Sequence, residues 1–221
     1  MIQIENLTRD FALGREMIRA LDGVTFEVQR GEYLTVTGPS GSGKSTLLMS
    51  LGGLLHPTAG RVVFDGVDIY RQPHRALAQF RTQTIGFVFQ QFHLVPYLTA
   101  WENVALALML NGNHQGKHKQ IAVGLLERLG LGSRLNHKPS QLSVGQQQRV
   151  AMARTLANNP SVILADEPTG SLDPKLTADL LSLLKDLNGE GKTIVLVTHS
   201  REVATAGGRR ISLCDGRIQP R

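Results

Sequence analysis

Cysteine is all but missing from this chain, and Cys214, the single one in 221 residues, excludes a disulfide framework within it. One thiol is compatible with a reducing cytoplasm, and Cys214 reads as an inert strand residue. Long hydrophobic runs are missing too. The longest apolar stretch of helical character, Val104 to Leu110, is far short of the roughly 20 residues that span a bilayer. At the N-terminus Arg9, Asp10, Arg15 and Glu16 come before any run long enough for a signal peptide, so the expectation is a non-exported chain whose membrane-spanning part, if any, is a separate polypeptide. Aromatics make up only 5% of the residues, with one tryptophan, and repeats, heptads and low-complexity linkers are absent. The net charge of +6 is dispersed apart from Arg209-Arg210 and the Arg217/Arg221 tail, and no aromatic residues interleave with it, which argues against nucleic acid as a partner. The histidines between Asn111 and Lys119 lack metal-ligand spacing, and that stretch reads as a loop.

What remains is 41% hydrophobic content, enough for one compact α/β unit with a real core. The strongest local pattern is Gly38-Pro39-Ser40-Gly41-Ser42-Gly43-Lys44-Ser45-Thr46, directly after the apolar run Tyr33 to Thr37. A strand, a glycine-rich turn and a helix in that order form a phosphate cradle. Glycines let successive N–H groups turn inward, and the helix N-terminus adds its positive dipole end. Lys44 is positioned to reach the β- and γ-phosphates of a nucleoside triphosphate, and the Ser45 hydroxyl to hold Mg²⁺.

Further along, Val162-Ile163-Leu164-Ala165 ends in Asp166-Glu167, as expected of a buried parallel strand delivering two acids to its C-terminal edge. Asp166 would complete the Mg²⁺ site, and Glu167 would hold the attacking water in line with the γ-phosphorus. Ahead of that strand, Leu142-Ser143-Val144-Gly145-Gln146-Gln147-Gln148-Arg149 precedes a helix-like stretch, Val150 to Ala157, with Ser143 as its N-cap. Ile2 to Ile4, Val24 to Val28, Arg61 to Phe64 and Ile85 to Phe89 read as strands, and Trp101 to Leu110 and Gln120 to Leu129 as helices.

Taken together these motifs resemble, from end to end, the nucleotide-binding subunit of an ABC transporter. The phosphate loop, a signature similar to L-S-G-G-Q, the acidic strand, Ser171-Leu172-Asp173-Pro174 as the D-loop and His199 as the switch histidine all stand in the family's order. The resemblance implies a P-loop NTPase (RecA-like) α/β core with an N-terminal antiparallel β-subdomain and an inserted helical subdomain. The core would comprise 1–89 and 158–221, and the helical subdomain 90–157. It implies ATP and Mg²⁺ as ligands, the metal held by Ser45, Asp166 and Gln90. It also implies a head-to-tail dimer in which Ser143, Gly145 and Gln146 of one subunit cover ATP on the other, with Asp173 linking the two sites. Gln90 would match the Q-loop, His199 would contact the γ-phosphate, and Phe11 would stack on adenine where the family usually has tyrosine.

Phe87 to Gln90, Leu94 to Thr99, Trp101 to Val104 and Asp166 to Asp173 are similar to the macrolide-exporter, lipoprotein-release and haem-exporter group. That likeness implies an ATPase on the cytoplasmic face of the membrane, docked to a permease through the apolar segment bearing Phe92, Leu94, Tyr97 and Leu98. One departure stands out: Val144 occupies the place of the signature's first glycine, and a β-branched residue is poorly suited to positive φ.

Overall fold

The computed structural model describes residues 1–14, 16–111 and 116–219. The loop expected between Asn111 and Lys119 and the basic position Arg221 therefore fall partly or wholly outside the described residues.

Two sheets organise the chain. The first has six strands in the order β10-β9-β3-β8-β7-β6, made of β3 (Tyr33–Thr37), β6 (Ile85–Phe89), β7 (Val162–Asp166), β8 (Thr193–Thr198), β9 (Arg209–Cys214) and β10 (Arg217–Gln219). All pairings are parallel except β9 with β10. The central strands are continuous apolar runs because both faces are covered, and β8 is buried at every position. Their register aligns Phe89 with Asp166, Asp166 with Val197, and Thr37 with Thr198. Gly38, Gln90, Glu167 and His199 therefore all emerge from one edge of the sheet, where open α/β sheets bind ligands.

The second sheet is antiparallel in the order β2-β1-β4-β5, from β1 (Ile2–Leu13), β2 (Glu16–Val28), β4 (Ala59–Phe64) and β5 (Val67–Asp68). Its first two strands run far beyond the expected Ile2–Ile4 and Val24–Val28. Irregular register between Ile4 and Leu7, Leu7 and Arg9, and Arg9 and Asp10 breaks the two-residue alternation by which a strand is read from sequence.

Helices α1 (Lys44–Leu51), α2 (His74–Thr84), α3 (Ala100–Asn111), α4 (His118–Arg128), α5 (Val144–Leu156) and α6 (Pro174–Gly189) complete the fold. Helix α5 starts at Val144, directly after the expected N-cap Ser143, and so takes in the residues ahead of the expected helix-like stretch Val150 to Ala157. Ser143 Oγ accepts from Gln146 N while Gln146 Oε1 accepts from Ser143 N. Asp173 caps α6 in the same way, accepting from Leu176 N at 2.9 Å. One hydrophobic core joins the antiparallel sheet, α1 and one face of the parallel sheet; a second lies on the other face under α6. A third, built around Val104, Leu108, Leu126 and Val150, belongs to α3, α4 and α5.

Candidate functional site

At the C-terminal edge of the parallel sheet an open cleft of about 670 Å³ is lined by Pro39, Ser40, Gly41, Gly43, Lys44, Ser45, Thr46, Gln90, Glu167 and His199, with Ala20 from β2 closing one side. Ten of these eleven residues are named by the sequence motifs, and Ala20 is the addition. Gly43 shows why the loop needs glycine at its last turn. Its φ is 100°, and a Cβ there would collide with the Ala20 carbonyl oxygen. Lys44 is buried, and its Nζ donates to the carbonyls of Gly38 and Pro39 at 2.9 and 2.8 Å, so the ammonium bridges the mouth of the loop.

Opposite, Ser45 Oγ donates to Asp166 Oδ1 at 3.0 Å, joining two motifs 121 residues apart. Burial raises the Asp166 pKa, the neighbouring Glu167 charge adds to this, and the Ser45 hydrogen bond and the Lys44 charge oppose it. The Ser45 hydroxyl and the Asp166 carboxylate are paired hard-oxygen donors of the kind that suits Mg²⁺, and Gln90 lines the same cleft as Ser45.

Glu167 sits in the left-handed region at φ 44°, uncommon for a residue with a side chain, and its backbone is held there by two hydrogen bonds. Its N–H donates to Val197 O at 3.0 Å, and its carbonyl accepts from Gly170 N at 3.1 Å. The carboxylate accepts from Thr198 Oγ1 at 3.1 Å and lies 2.8 Å from His199 Nδ1. Thr198 is a site residue that none of the sequence motifs names. Its available signal is a hydroxyl that follows the apolar run Ile194 to Val197 and stands one position before His199.

The signature is elsewhere. Ser143, Gly145, Gln146 and Asp173 do not line this cleft. Gly145 is packed so closely on α6 that an added Cβ would lie 2.5 Å from Leu176 Cδ2. Val144 is the first residue of α5, exposed at 48%, and is not among the positive-φ residues, so the expected conflict between valine and the backbone does not arise. Val144→Gly is therefore expected to leave kcat for ATP hydrolysis within about twofold of wild type, as for exposed substitutions generally, or to raise it. A steady-state assay that finds turnover lost would assign the valine side chain a specific role.

Phe11, half-buried on β1, does not line the cleft either; the Arg9 guanidinium covers its ring at 4.7 Å. Of the four residues expected on the docking segment, Tyr97 is 73% exposed, Phe92 and Leu98 are partly buried, and Leu94 packs into the core of α3–α5. Leu94 is consumed by its own lobe. Leu106, Met109 and Leu110 on α3 are also exposed, and Leu110 lines a groove of about 330 Å³ together with Leu54, Phe87 and Phe89.

The ABC transporter family model matches residues 21–170, spanning the phosphate loop, the signature and the acidic strand. The chain belongs to the ABC transporter family. It is an ABC-type ATP-binding cassette and an ATPase. The cassette is 49% identical over 219 residues to an uncharacterized ABC transporter ATP-binding protein of Thermotoga maritima, covering 99% of this chain and 94% of that one. It is 45% identical over 218 residues to the macrolide export ATP-binding/permease protein MacB of Hyphomonas neptunium, where the match covers 99% of this chain but 34% of MacB. Among solved structures it resembles the cassette MJ0796 in a dimeric post-hydrolysis state bound to ADP and Pi. There the TM-score is 0.91 at 46% identity, over 100% of this chain and 97% of that one.

Proposed function

We propose that this ABC ATPase drives a separate permease that exports or extracts an amphipathic substrate such as haem, a macrolide, a peptide antibiotic or a lipoprotein. The observation that carries the reading is the match of the whole cassette to about a third of MacB, whose name joins an ATP-binding part to a permease. Among the described residues no helix is long and apolar enough to cross a membrane; the proposed place of action is the cytoplasmic face, on the partner permease. The groove lined by Leu54, Phe87, Phe89 and Leu110 is the proposed docking face, since exposed apolar side chains of this kind suit a partner better than water.

In the reaction we propose, Lys44 exchanges the carbonyls of its own loop for β- and γ-phosphate oxygens, while Ser40 to Thr46 supply N–H donors. Ser45, Asp166 and Gln90 would hold Mg²⁺, which neutralises charge on the phosphate oxygens when bound. Glu167 takes the proton of the attacking water, and Thr198 and His199 keep its carboxylate aimed into the cleft. His199 also faces the γ-phosphate. Phe11, which carries Arg9 on its ring, would stack on adenine. A second copy completes each site with Ser143, Gly145 and Gln146 at the N-terminus of its α5, and Asp173 joins the two sites. The dimeric MJ0796 cassette supports this two-subunit arrangement. The lobes that close on ATP are 1–89 with 158–221, and 90–157.

The test is purification of tagged Glu167→Gln protein from detergent-solubilised native membranes with Mg-ATP, with co-purifying chains identified by mass spectrometry. An integral membrane permease with a cargo-binding part supports the proposal. A permease bound only to an extracytoplasmic regulatory protein favours a mechanotransmission role, and recovery of soluble partners alone overturns both.

A further inference from the structure

Arg154, on the inner face of α5, does none of the jobs assigned above. Its guanidinium is largely buried, and burial pulls its pKa below the usual arginine value. It donates to two successive backbone carbonyls, Phe92 O at 2.7 Å and His93 O at 2.6 Å. His93 is held at φ 47°, and its ring packs edge-on against Phe89 at 5.5 Å. The next residue of α5, Thr155, donates to Phe87 O at 2.7 Å. Two positions before Phe92, the Gln90 carbonyl accepts from Ser171 Oγ at 3.1 Å, on the opposite, catalytic side. The strand that leaves the core at Phe89 is thus tied to the catalytic core through Gln90 and to the signature helix through Phe92 and His93. Gln91 is the joint between the two ties.

We propose that Arg154 is a positioning residue. By gripping the Phe92 and His93 carbonyls it makes the segment after Gln90 move with α5, so that displacement of the signature helix sets where the Gln90 side chain stands in the nucleotide cleft. A planar fork with several N–H donors suits this task, since it can hold two carbonyls in a fixed relation, whereas a lysine ammonium on a flexible stem is a point charge. Arg154 also lines the apolar groove beside Phe89 and Leu110, so a chain seated there would press on the same grip. The inference rests on the role proposed for Gln90.

The experiment is steady-state ATP hydrolysis by the full chain, with KM and kcat separated, for Arg154→Ala, Arg154→Lys, Arg154→Met and Gln90→Ala. The expected result is a fall in kcat of about tenfold for Arg154→Ala and Arg154→Met, with KM for Mg-ATP within about twofold, because misplacing a group in the cleft costs turnover more than binding. Arg154→Lys should recover only part of the loss. Amide hydrogen exchange over residues 90–98 should quicken in the same variants while α1 and β3 keep their protection. If Arg154→Met, which fills similar space without donors, restores wild-type kcat, the role is packing and the proposal fails. Should Arg154→Ala and Arg154→Met not fold, Arg154→Lys decides alone: a kcat-selective loss supports the grip, and wild-type kinetics overturn it. Wild-type turnover in Gln90→Ala would sink the reading of Gln90 itself, whereas impaired Gln90→Ala beside normal Arg154 variants would sink only the grip.

Discussion

Replacing Glu167 with Gln is expected to slow ATP hydrolysis by about two to four orders of magnitude while ATP still binds, since general-base catalysis contributes on that scale. The substitution keeps the size and shape of the side chain and keeps an oxygen to accept from Thr198 Oγ1. It also preserves the backbone at φ 44°, which Val197 and Gly170 hold through main-chain hydrogen bonds that do not depend on the side chain. What is lost is the ability to take a proton from water. With turnover blocked, ATP should persist between two subunits, and size-exclusion chromatography should show a dimer with ATP that ADP does not support. Near-normal hydrolysis would remove Glu167 as the principal base.

Lys44→Ala should act at the other step, weakening ATP binding by about a hundredfold, the scale of losing two charge-assisted hydrogen bonds of roughly 1.5 kcal/mol each. The side chain is buried, and its ammonium satisfies the Gly38 and Pro39 carbonyls, so its removal unpairs the loop as well as removing charge from the phosphates. Nucleotide titration measures the first effect. In thermal unfolding, the stabilisation that saturating ATP confers on the wild type should largely vanish in the variant. An unchanged midpoint shift with ATP would show that the loop holds phosphate by its backbone alone.

Glu167 is legible because the continuous apolar run of β7 ends in Asp166 and Glu167, and Lys44 because it closes the glycine-rich turn that joins β3 to α1. His199, a lone histidine after a strand, is legible only through its register with the other motifs. Elsewhere a local pattern was outweighed. The long hairpin of β1 and β2 escapes period-two reading because its register slips three times. Helix α2 buries only Leu77 completely and carries mostly polar residues, so its apolar stripe is faint. The segment around Leu94 reads as a sticky loop when taken alone. Its own Val95 is tied at N–H and carbonyl to Asn103, a fully buried amide, and that folds Leu94 inward against α3–α5. Arg154 carries no sequence signature of its task, because its partners are main-chain oxygens of residues some 60 positions away.

Gly145 has no side chain because Leu176 occupies the space, and Leu176 belongs to the turn that Asp173 caps. In a two-subunit ATPase this contact means that whatever presses on one protomer's signature is felt at once by its own Asp173 turn. In the proposed dimer the two nucleotides are then not expected to keep separate time: occupancy of one site should alter the readiness of the other, and the ATP dependence of turnover should be sigmoidal, with a Hill coefficient above unity.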